Sequence, residues 1–241
     1  MIALLCAVPI ESKLLRASIT TEESLTLGSK IFIRGRLSGR EAVLCAGGMG
    51  KVNAAHAAAL LITRFNPGAI IIFGVGGAYP SSGADIGDIA LASEEILGDE
   101  GVLTSEGFKD TEYIGIPLVQ KESALFHNRF PSCKKLFAAA HKAVSSPKTS
   151  GRIHTGRFVT LSTCTGTSAR ARELEGRYKA LCENMEGAAA AQAAIIHGVP
   201  WLEVRGISNI VEDRDLKKWD VPRAAQAAQE AVQQILEGWN R

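Results

Sequence analysis

The sequence contains few of the residues that would build a metal centre, a disulfide framework or a covalent nucleophile. Its five cysteines are widely spaced and include no C-x-x-C pair, so neither structural zinc nor a disulfide scaffold is expected. Its five histidines show no H-x-x-x-H spacing, and no serine lies in a G-x-S-x-G motif. We therefore predict no metal and no cofactor, and the carboxylates remain as the candidate catalytic groups.

The chain also lacks a strong charge of one sign and a long apolar run. It has 27 basic and 25 acidic side chains, a formal net charge of +2, so a nucleic-acid partner is not expected and a small molecule is. The apolar stretch 69–78 contains three glycines and is too short for a membrane helix. The apolar N-terminus has no basic leader and soon reaches Pro9 and Glu11, unlike a signal peptide. These features predict a reduced, cytoplasmic location.

The pattern of apolar residues predicts a single α/β domain over residues 1–241. Short β-rich runs alternate with alanine-rich helical segments, which is typical of strands covered by helices on both faces. The predicted strands are 2–8, 30–36, 41–46, 69–73, 88–92, 158–161 and 200–207. The predicted helices are 50–65, 168–178, 185–197 and 221–239, and residues 97–117 are expected to be rich in loops.

Two glutamates are candidate catalytic groups. Glu11 follows the first predicted strand at its carboxyl end, where the ligands of α/β sheets usually bind. The alternative for Glu11 is a solvated side chain in the first turn of a helix. Glu186 begins an alanine-rich helix next to Met185 and small residues, so we expect it to be poorly solvated and to need a partner such as sugar hydroxyl groups.

Asn209 is a candidate for recognition of a purine base. The two N–H donors of its amide would serve the N7 and O6 acceptors of a 6-oxopurine, whereas adenine presents a donor at N6. The alternative is a capping role, because Ser208 and Asn209 follow an apolar run. The glycine clusters 47–50 and 74–77 follow predicted strands, and glycine allows the backbone to approach a ligand closely, although such turns are also common for geometric reasons alone.

Together these residues resemble the purine nucleoside phosphorylase and nucleosidase superfamily, over nearly the whole chain. The segments that carry the resemblance are AVPIE (7–11), GMGKV (48–52), GVGG (74–77), IGDI (86–89), ENMEGA (183–188) and VRGISN (204–209). STCTGT (162–167) and DRD (213–215) with Trp219 are more similar to the futalosine hydrolases of this superfamily than to its methylthioadenosine/S-adenosylhomocysteine nucleosidases.

The resemblance implies a phosphorylase/hydrolase-like three-layer α/β fold, in which helices flank a central mixed, twisted and partly barrel-like sheet. It implies a homo-oligomer, a dimer or tetramer, that hydrolyses the N-glycosidic bond of futalosine in menaquinone biosynthesis and releases hypoxanthine. By position, Glu11 matches the general base that activates water, and Asn209 matches the residue that stabilises the departing purine. Glu186 matches the ligand of the ribose hydroxyls and Met185 packs against the ribose. The other residues expected at the substrate are Met49, Val75, Gly76, Cys164, Thr165 and Ser208.

The resemblance leaves alternatives open for the partners of two parts of the substrate, the purine face and the acidic tail. No aromatic residue matches the one that stacks on the purine in the methylthioadenosine enzymes, because Cys164 or Thr165 lies near that position. Phe158 and Trp201 lie in strand-like runs and are expected in the core. Arg214 is the candidate for the acidic tail of futalosine, with a solvated loop arginine as the alternative.

The same residues bear on three alternatives to a futalosine hydrolase: an adenine-releasing nucleosidase, a phosphorylase and a protein without catalytic activity. Enzymes that release adenine carry Asp at the position that matches Asn209, so an adenine-releasing nucleosidase is the first alternative. A phosphorylase is the second, although Glu11 would repel phosphate and Val75 replaces a hydroxyl residue. Lys51 and Arg205 would attract phosphate, unless they are helix-surface or structural ion-pair residues. A binding protein without turnover is disfavoured by the presence of both glutamates. An interaction protein that uses its alanine-rich helices is the other alternative, although small residues at helical spacing more often indicate close internal packing or a homo-oligomer contact.

Overall fold

The structure is a computed structural model that describes residues 1–146 and 149–239, so residues 147, 148, 240 and 241 of the predicted domain lie outside the described residues. The strands are β1 (Ile2–Cys6), β2 (Thr20–Leu27), β3 (Lys30–Leu37), β4 (Arg40–Ala46), β5 (Ala69–Ala78), β6 (Ile89–Leu97), β7 (Val102–Thr104), β8 (Gly107–Lys109), β9 (Val119–Lys121), β10 (Ala124–Phe126), β11 (Arg129–Pro131), β12 (Ile153–Thr160), β13 (Ala180–Asn184) and β14 (Trp201–Ile210). The helices are α1 (Lys13–Ser18), α2 (Lys51–Phe65), α3 (Thr111–Ile114), α4 (Lys134–Val144), α5 (Ser168–Tyr178), α6 (Gly187–His197) and α7 (Val221–Glu237). None of the helices in the described residues is long and apolar enough to cross a membrane.

The central sheet is mixed and partly closed into a barrel, as predicted. Its strand order is β11-β6-β12-β13-β5-β1-β4-β3-β2, and β14 pairs with both β5 and β6. Strands β5, β14, β6, β12 and β13 therefore form a closed ring, while β1 to β4 extend from β5 as an open wing. Parallel pairs β1–β4, β1–β5 and β5–β14 bring the carboxyl ends of these strands to the same edge of the sheet.

The core lies on both faces of the sheet, because successive residues of a strand point to opposite sides. In β5, Ile70 and Ile72 join the cluster that contains α2 and α6, whereas Ile71 and Phe73 join the cluster that contains α4 and α7. The alanines of α6 are largely buried, and their small side chains allow this helix to pack closely on α2 and the sheet. This arrangement is the three-layer fold that the sequence predicts.

Several elements differ from the prediction. Strand β5 runs to Ala78 rather than residue 73, because pairing with β14 and β13 keeps its glycines in extended strand conformation. Strand β2 was not predicted, since its residues are mostly polar and exposed. Strand β13 and helices α1 and α4 were also missed, and the predicted helix 185–197 begins at Gly187. Phe158 and Trp201 are buried in the core, as expected.

Candidate active site

A cavity of about 190 Å³ opens where β1, β5, β13 and β14 end. All the residues predicted to contact substrate line it except Arg214. The lining residues are Ala7, Val8, Glu11, Met49, Val75, Gly76, Gly77, Cys164, Thr165, Glu183, Asn184, Met185, Glu186, Ser208, Asn209 and Trp219. The fold thus brings together seven separate stretches of the chain. Glu183 and Trp219 add an acidic and an aromatic side chain to those predicted from the sequence.

Glu11 is buried and held by backbone N–H groups. Its Oε2 accepts hydrogen bonds from the N–H of Ala7 at 2.9 Å and of Val8 at 3.0 Å, and its Oε1 accepts one from Val75 at 2.9 Å. The alternative of a solvated helix-turn glutamate is therefore wrong. Burial raises the pKa of Glu11, although the nearby charge of Arg205 and these backbone donors oppose the rise. Such a carboxylate has a defined orientation and an elevated affinity for a proton.

Glu186 faces Glu11 across a buried cation. Its Oε1 accepts a hydrogen bond from the N–H of Gly50 at 2.9 Å, and its Oε2 lies 3.6 Å from Nη1 of Arg205. Sugar hydroxyls are the partners predicted from the sequence for a poorly solvated Glu186. Protein groups provide part of this stabilisation, and the side chain still lines the cavity. Gly50 has a φ of 91°, which favours glycine at this turn.

Arg205 lies behind the two glutamates and is almost completely buried. Its Nε donates to Oε1 of Glu203 at 2.7 Å, and its Nη1 donates to the carbonyl oxygen of Val75 at 3.1 Å. Although burial favours the neutral form, the charges of Glu203, Glu186 and Glu11 raise the pKa of Arg205 further, so it is a permanent cation. Arg205 is thus a structural ion-pair residue on a strand, and the helix-surface alternative is wrong for it.

The amide of Asn209 has a defined orientation. The hydroxyl group of Ser208 lies 2.8 Å from Oδ1, to which it can donate, and 3.3 Å from the carbonyl oxygen of Gly76. Nδ2 donates to the carbonyl oxygen of Ile210 at 3.2 Å. Because a carbonyl oxygen can only accept, the amide nitrogen has to face it. An irregularity in the β14–β5 register falls between Ile207 and Asn209, and such bulges redirect side chains. One of the two N–H donors is therefore engaged, a correction to the prediction that both serve the base.

The capping alternative for Asn209 does not hold. After β14 the chain forms a short 3₁₀ helix (Leu216–Lys218) and then α7. Their N-caps are Asp215 and Asp220, whose side chains accept hydrogen bonds from the N–H groups of Lys217 and Arg223, each at 3.0 Å. Asn209 is itself mostly buried and lies in the cavity wall. Its carboxamide thus faces the space that a ligand would occupy rather than a helix end.

Glu183 and Trp219 line the cavity but were not among the predicted site residues. Glu183 accepts hydrogen bonds from the N–H of Thr165 at 2.9 Å, from its hydroxyl at 2.6 Å and from the hydroxyl of Tyr79 at 3.0 Å, so it anchors the segment 162–167. Glu183 belongs to the segment 183–188 that carries the family resemblance, but strand β13, which orients its side chain, is not predicted from the sequence. Cys164, in the anchored segment, places its Sγ 3.2 Å from Sδ of Met185.

Arg214 is set back from the cavity wall. Its guanidinium lies over the ring of Trp219, 4.6 Å from the ring centroid. Trp219, which is half-buried, lines the cavity itself and is the one aromatic side chain among its lining residues. Arg214 also lies close to Cys164, another lining residue, so it is adjacent to the cavity without lining it.

The sequence of the chain matches that of known enzymes along its whole length. The profile of the Phosphorylase superfamily matches residues 1–238. A 5'-methylthioadenosine/S-adenosylhomocysteine nucleosidase of Psychromonas ingrahamii is 31% identical, over 99% of each chain. A futalosine hydrolase of Thermus thermophilus is 33% identical over 78% of each chain, and one of Streptomyces coelicolor is 34% identical over 70% of this chain and 67% of its own.

Solved structures agree on the fold. The nucleosidase of Colwellia psychrerythraea in complex with adenine superimposes with a TM-score of 0.85 at 25% identity, covering 98% of this chain and 94% of its own. The futalosine hydrolase of Helicobacter pylori superimposes with a TM-score of 0.84 at 19% identity, covering 99% and 97% of the two chains.

The fold, the acidic cavity and these relatives define an enzyme that hydrolyses the N-glycosidic bond of a nucleoside. The chain belongs to the Phosphorylase superfamily, among its nucleosidases and futalosine hydrolases.

Proposed function

We propose that this enzyme is a futalosine hydrolase that cleaves futalosine to hypoxanthine and dehypoxanthine futalosine, in the futalosine route of menaquinone biosynthesis. The observation that carries the proposal is the orientation of the Asn209 amide, which Ser208 and the carbonyl oxygen of Ile210 hold on opposite sides. The two futalosine hydrolases at 33% and 34% identity support the same substrate.

The held amide favours hypoxanthine over adenine. In the observed orientation Asn209 has one N–H left to donate, and N7 and O6 of hypoxanthine are both acceptors. The amino group at N6 of adenine needs an acceptor, which this amide offers only after it is flipped. A flip would place Oδ1 against the carbonyl oxygen of Ile210, two acceptors 3.2 Å apart. The surrounding groups therefore oppose adenine recognition.

Cleavage uses Glu11 as the general base. A water molecule transfers a proton to the carboxylate of Glu11 while its oxygen forms a bond to C1' of the ribose. The bond between C1' and N9 breaks, and its electron pair goes to the purine, which takes a proton from solvent after departure. General-base assistance of this kind contributes about 10²–10⁴-fold to the rate.

Glu186 and Arg205 have different electrostatic roles near the sugar. The remaining acceptor capacity of Glu186 binds ribose hydroxyls, and its negative charge favours the positive charge that develops on the ribose ring. Arg205 lies 3.6 Å from Glu186, and its charge opposes the rise in the pKa of Glu11, so it limits the repulsion between the two carboxyl groups. The N–H of Asn209 stabilises the electrons that accumulate on the departing base.

The 5' end of the substrate extends beyond the cavity described. A volume of about 190 Å³ is below the roughly 300–1,000 Å³ of pockets that hold drug-sized ligands, so the cavity suits the base and ribose rather than the whole of futalosine. Trp219 lines the cavity, with Arg214 stacked on its ring. We propose that Arg214 pairs with the carboxylate of the substrate tail and that Trp219 packs against its aromatic ring or against the base.

The cavity is unsuited to phosphate as the nucleophile. Its described lining includes the carboxylates of Glu11, Glu183 and Glu186 and no Lys, Arg or His. Lys51 is paired with Asp99 at 2.6 Å, and Arg205 is paired with Glu203. An incoming phosphate would meet repulsion without an available cation, which favours water over phosphate.

An adenine-releasing nucleosidase is the second candidate. The observation in its favour is the relative from Psychromonas ingrahamii, a 5'-methylthioadenosine/S-adenosylhomocysteine nucleosidase that matches 99% of the chain. The amide of Asn209 argues against it. Release of adenine is assisted by an aspartate, which can both protonate N7 and accept from the adenine amino group, whereas the amide in its observed orientation can do neither.

The test is a substrate panel with resolved products. Purified protein is incubated with futalosine, inosine and methylthioadenosine, with and without phosphate, and the free bases are separated by chromatography. We expect hypoxanthine from futalosine at a rate that does not depend on phosphate. Preferential release of adenine from methylthioadenosine would support the second candidate, and phosphate-dependent release would indicate a phosphorylase. The Glu11→Gln variant, purified in the same way, controls for contaminating nucleosidases.

We further propose that this activity belongs to a single domain that assembles as a homo-oligomer in the cytoplasm. The five cysteines are unpaired in the structure, as in a reducing compartment. Large apolar side chains are exposed along the segment 103–125, and such patches are typical of subunit contacts. They are Leu103, Tyr113, Ile114, Ile116 and Leu125.

A further inference from the structure

A second pair of carboxyl groups lies beneath the active site. Glu95 on β6 and Glu203 on the neighbouring strand β14 are both completely buried. Oε2 of Glu95 accepts a hydrogen bond from the hydroxyl of Thr160 at 2.8 Å, and its Oε1 accepts one from Nδ2 of Asn184 at 2.5 Å. Glu203 accepts its bond from Nε of Arg205 at 2.7 Å. Neither glutamate lines the cavity.

Gly187 allows the first turn of α6 to close over both carboxyl groups. A Cβ atom at this position would overlap Oε1 of Glu95 and both carboxyl oxygens of Glu203. The two carboxyl groups are therefore adjacent to each other and to the backbone of α6, in a space without room for a further side-chain carbon.

One carboxyl oxygen of this pair has no hydrogen-bond donor among the described residues. Oε2 of Glu203 is buried and receives no hydrogen bond from any N–H or O–H group of the described residues. A buried acceptor without a donor is costly, and two adjacent buried carboxylates repel each other strongly. A single proton on Glu95, directed at Oε2 of Glu203, removes both problems. Every acceptor of Glu203 is then satisfied, by Glu95 on one side and Arg205 on the other.

We propose that Glu95 is a neutral acid that donates a hydrogen bond to the Glu203 carboxylate, and that Glu203 is a positioning residue that holds Arg205 between Glu11 and Glu186. The positioning role rests on the proposed function, since it requires Glu11 and Glu186 to act on a substrate. The protonation of Glu95 does not depend on it.

The electrostatics of the pair agree with this assignment. Burial and the charge of Glu203 raise the pKa of Glu95 well above the usual range. Burial also raises the pKa of Glu203, but Arg205 and the hydrogen bond from Glu95 oppose the rise. The other ionisable groups close to the pair include Arg205, Glu186 and Cys182, while Glu11 and Glu183 act on Arg205 and Cys182 in turn. Arg205 is the cation of this set, and it contacts Glu203 rather than Glu95.

Infrared spectroscopy of the free enzyme tests the protonation. At a pH of about 8, well above the usual glutamate pKa, the wild type should show the carbonyl band of a protonated carboxylic acid. This band should persist in Glu203→Gln and disappear in Glu95→Gln. Absence of the band from the wild type, or its loss from Glu203→Gln alone, would overturn the assignment. Because no substrate is used, this result is independent of the proposed function.

Kinetics with futalosine test the positioning role. Glu203→Gln should lower kcat roughly ten- to a hundredfold, as expected for loss of a charged hydrogen bond, with little change in KM. Removal of a negative charge near Glu11 should also move the acid limb of the kcat/KM profile to lower pH. Glu95→Gln should cost less activity and leave the limb in place, because Glu95 is already neutral and the new amide can still donate to Glu203.

A third variant separates position from charge and remains informative if Glu203→Gln does not fold. Glu203→Asp keeps the charge but withdraws it from Arg205 by one methylene group, so kcat should fall while the acid limb stays in place. Wild-type kcat and pH dependence in both Glu203 variants would show that Glu203 is only structural and would overturn the positioning role. If the wild type does not hydrolyse futalosine but shows the expected infrared bands, the proposed function is contradicted and the protonation of Glu95 is not.

Discussion

Replacement of Asn209 by aspartate should convert base preference toward adenine. The hydroxyl of Ser208, 2.8 Å from Oδ1 of Asn209, can donate to an aspartate in the same way. The second carboxyl oxygen would replace Nδ2, which is 3.2 Å from the carbonyl oxygen of Ile210. Two acceptors would then face each other, so the aspartate is favoured in its protonated form, and that proton is available to N7 of a purine.

The magnitude follows from one bidentate contact. An aspartate can protonate N7 and accept from N6 of adenine together, and discrimination by a bidentate base contact amounts to about 1–3 kcal/mol, or roughly ten- to a hundredfold in rate. We therefore expect the ratio of kcat/KM for methylthioadenosine to kcat/KM for futalosine to rise by about that factor. Initial rates for both substrates, with wild type and variant at the same pH, provide the measurement.

A matched variant separates the orientation of the amide from its chemistry. Ser208→Ala removes a hydroxyl donor beside Oδ1 and makes an amide flip easier. The ratio of kcat/KM for futalosine to kcat/KM for methylthioadenosine should therefore decrease, although the variant introduces no acid into the site. Thermal unfolding of each variant should remain cooperative. An Asn209→Asp enzyme with the base preference of the wild type would refute direct recognition of the base by this side chain.

Three further predictions concern the loss of the Glu11 carboxylate, the pH dependence that Glu11 sets and the contact of Arg214 with the substrate tail. Glu11→Gln should lower kcat by about 10²–10⁴-fold without loss of the circular dichroism spectrum of the fold, and a near-normal rate would remove Glu11 from the mechanism. Because burial raises the pKa of Glu11 above 4.5, the acid limb of kcat/KM should lie above the pH at which an exposed glutamate titrates, and activity should be lost below it as the base becomes protonated. A limb at the ordinary glutamate position would contradict this environment. Arg214→Ala should raise KM for futalosine several-fold, as for an exposed charged contact, and leave KM for inosine unchanged, since inosine has no acidic tail; equal changes for both would exclude a pairing with the tail.

The fold could be predicted largely from local pattern. Apolar runs such as 69–73 and alanine-rich helices such as α2 carry their periodicity in a few adjacent residues, so strands and helices were found where their sequence is regular. Strand β2 is not predicted because its residues are mostly polar. The end of β5 that contains glycines is not predicted because glycine usually indicates a turn. Pairing partners far away in the chain stabilise both segments, and local propensity does not contain that information.

The sequence alone determined the chemical groups of the site and the edge of the sheet at which they meet. Glu11 and Asn209 each follow or end a parallel strand, and the carboxyl ends of such strands converge. Tertiary structure alone decided how these groups are held. The burial of Arg205 among three glutamates, the orientation of the Asn209 amide and the contact of Glu95 with Glu203 all depend on side chains from different strands. Hydrogen bonds and buried charges act over a few ångströms, so their arrangement exists only once the strands are assembled.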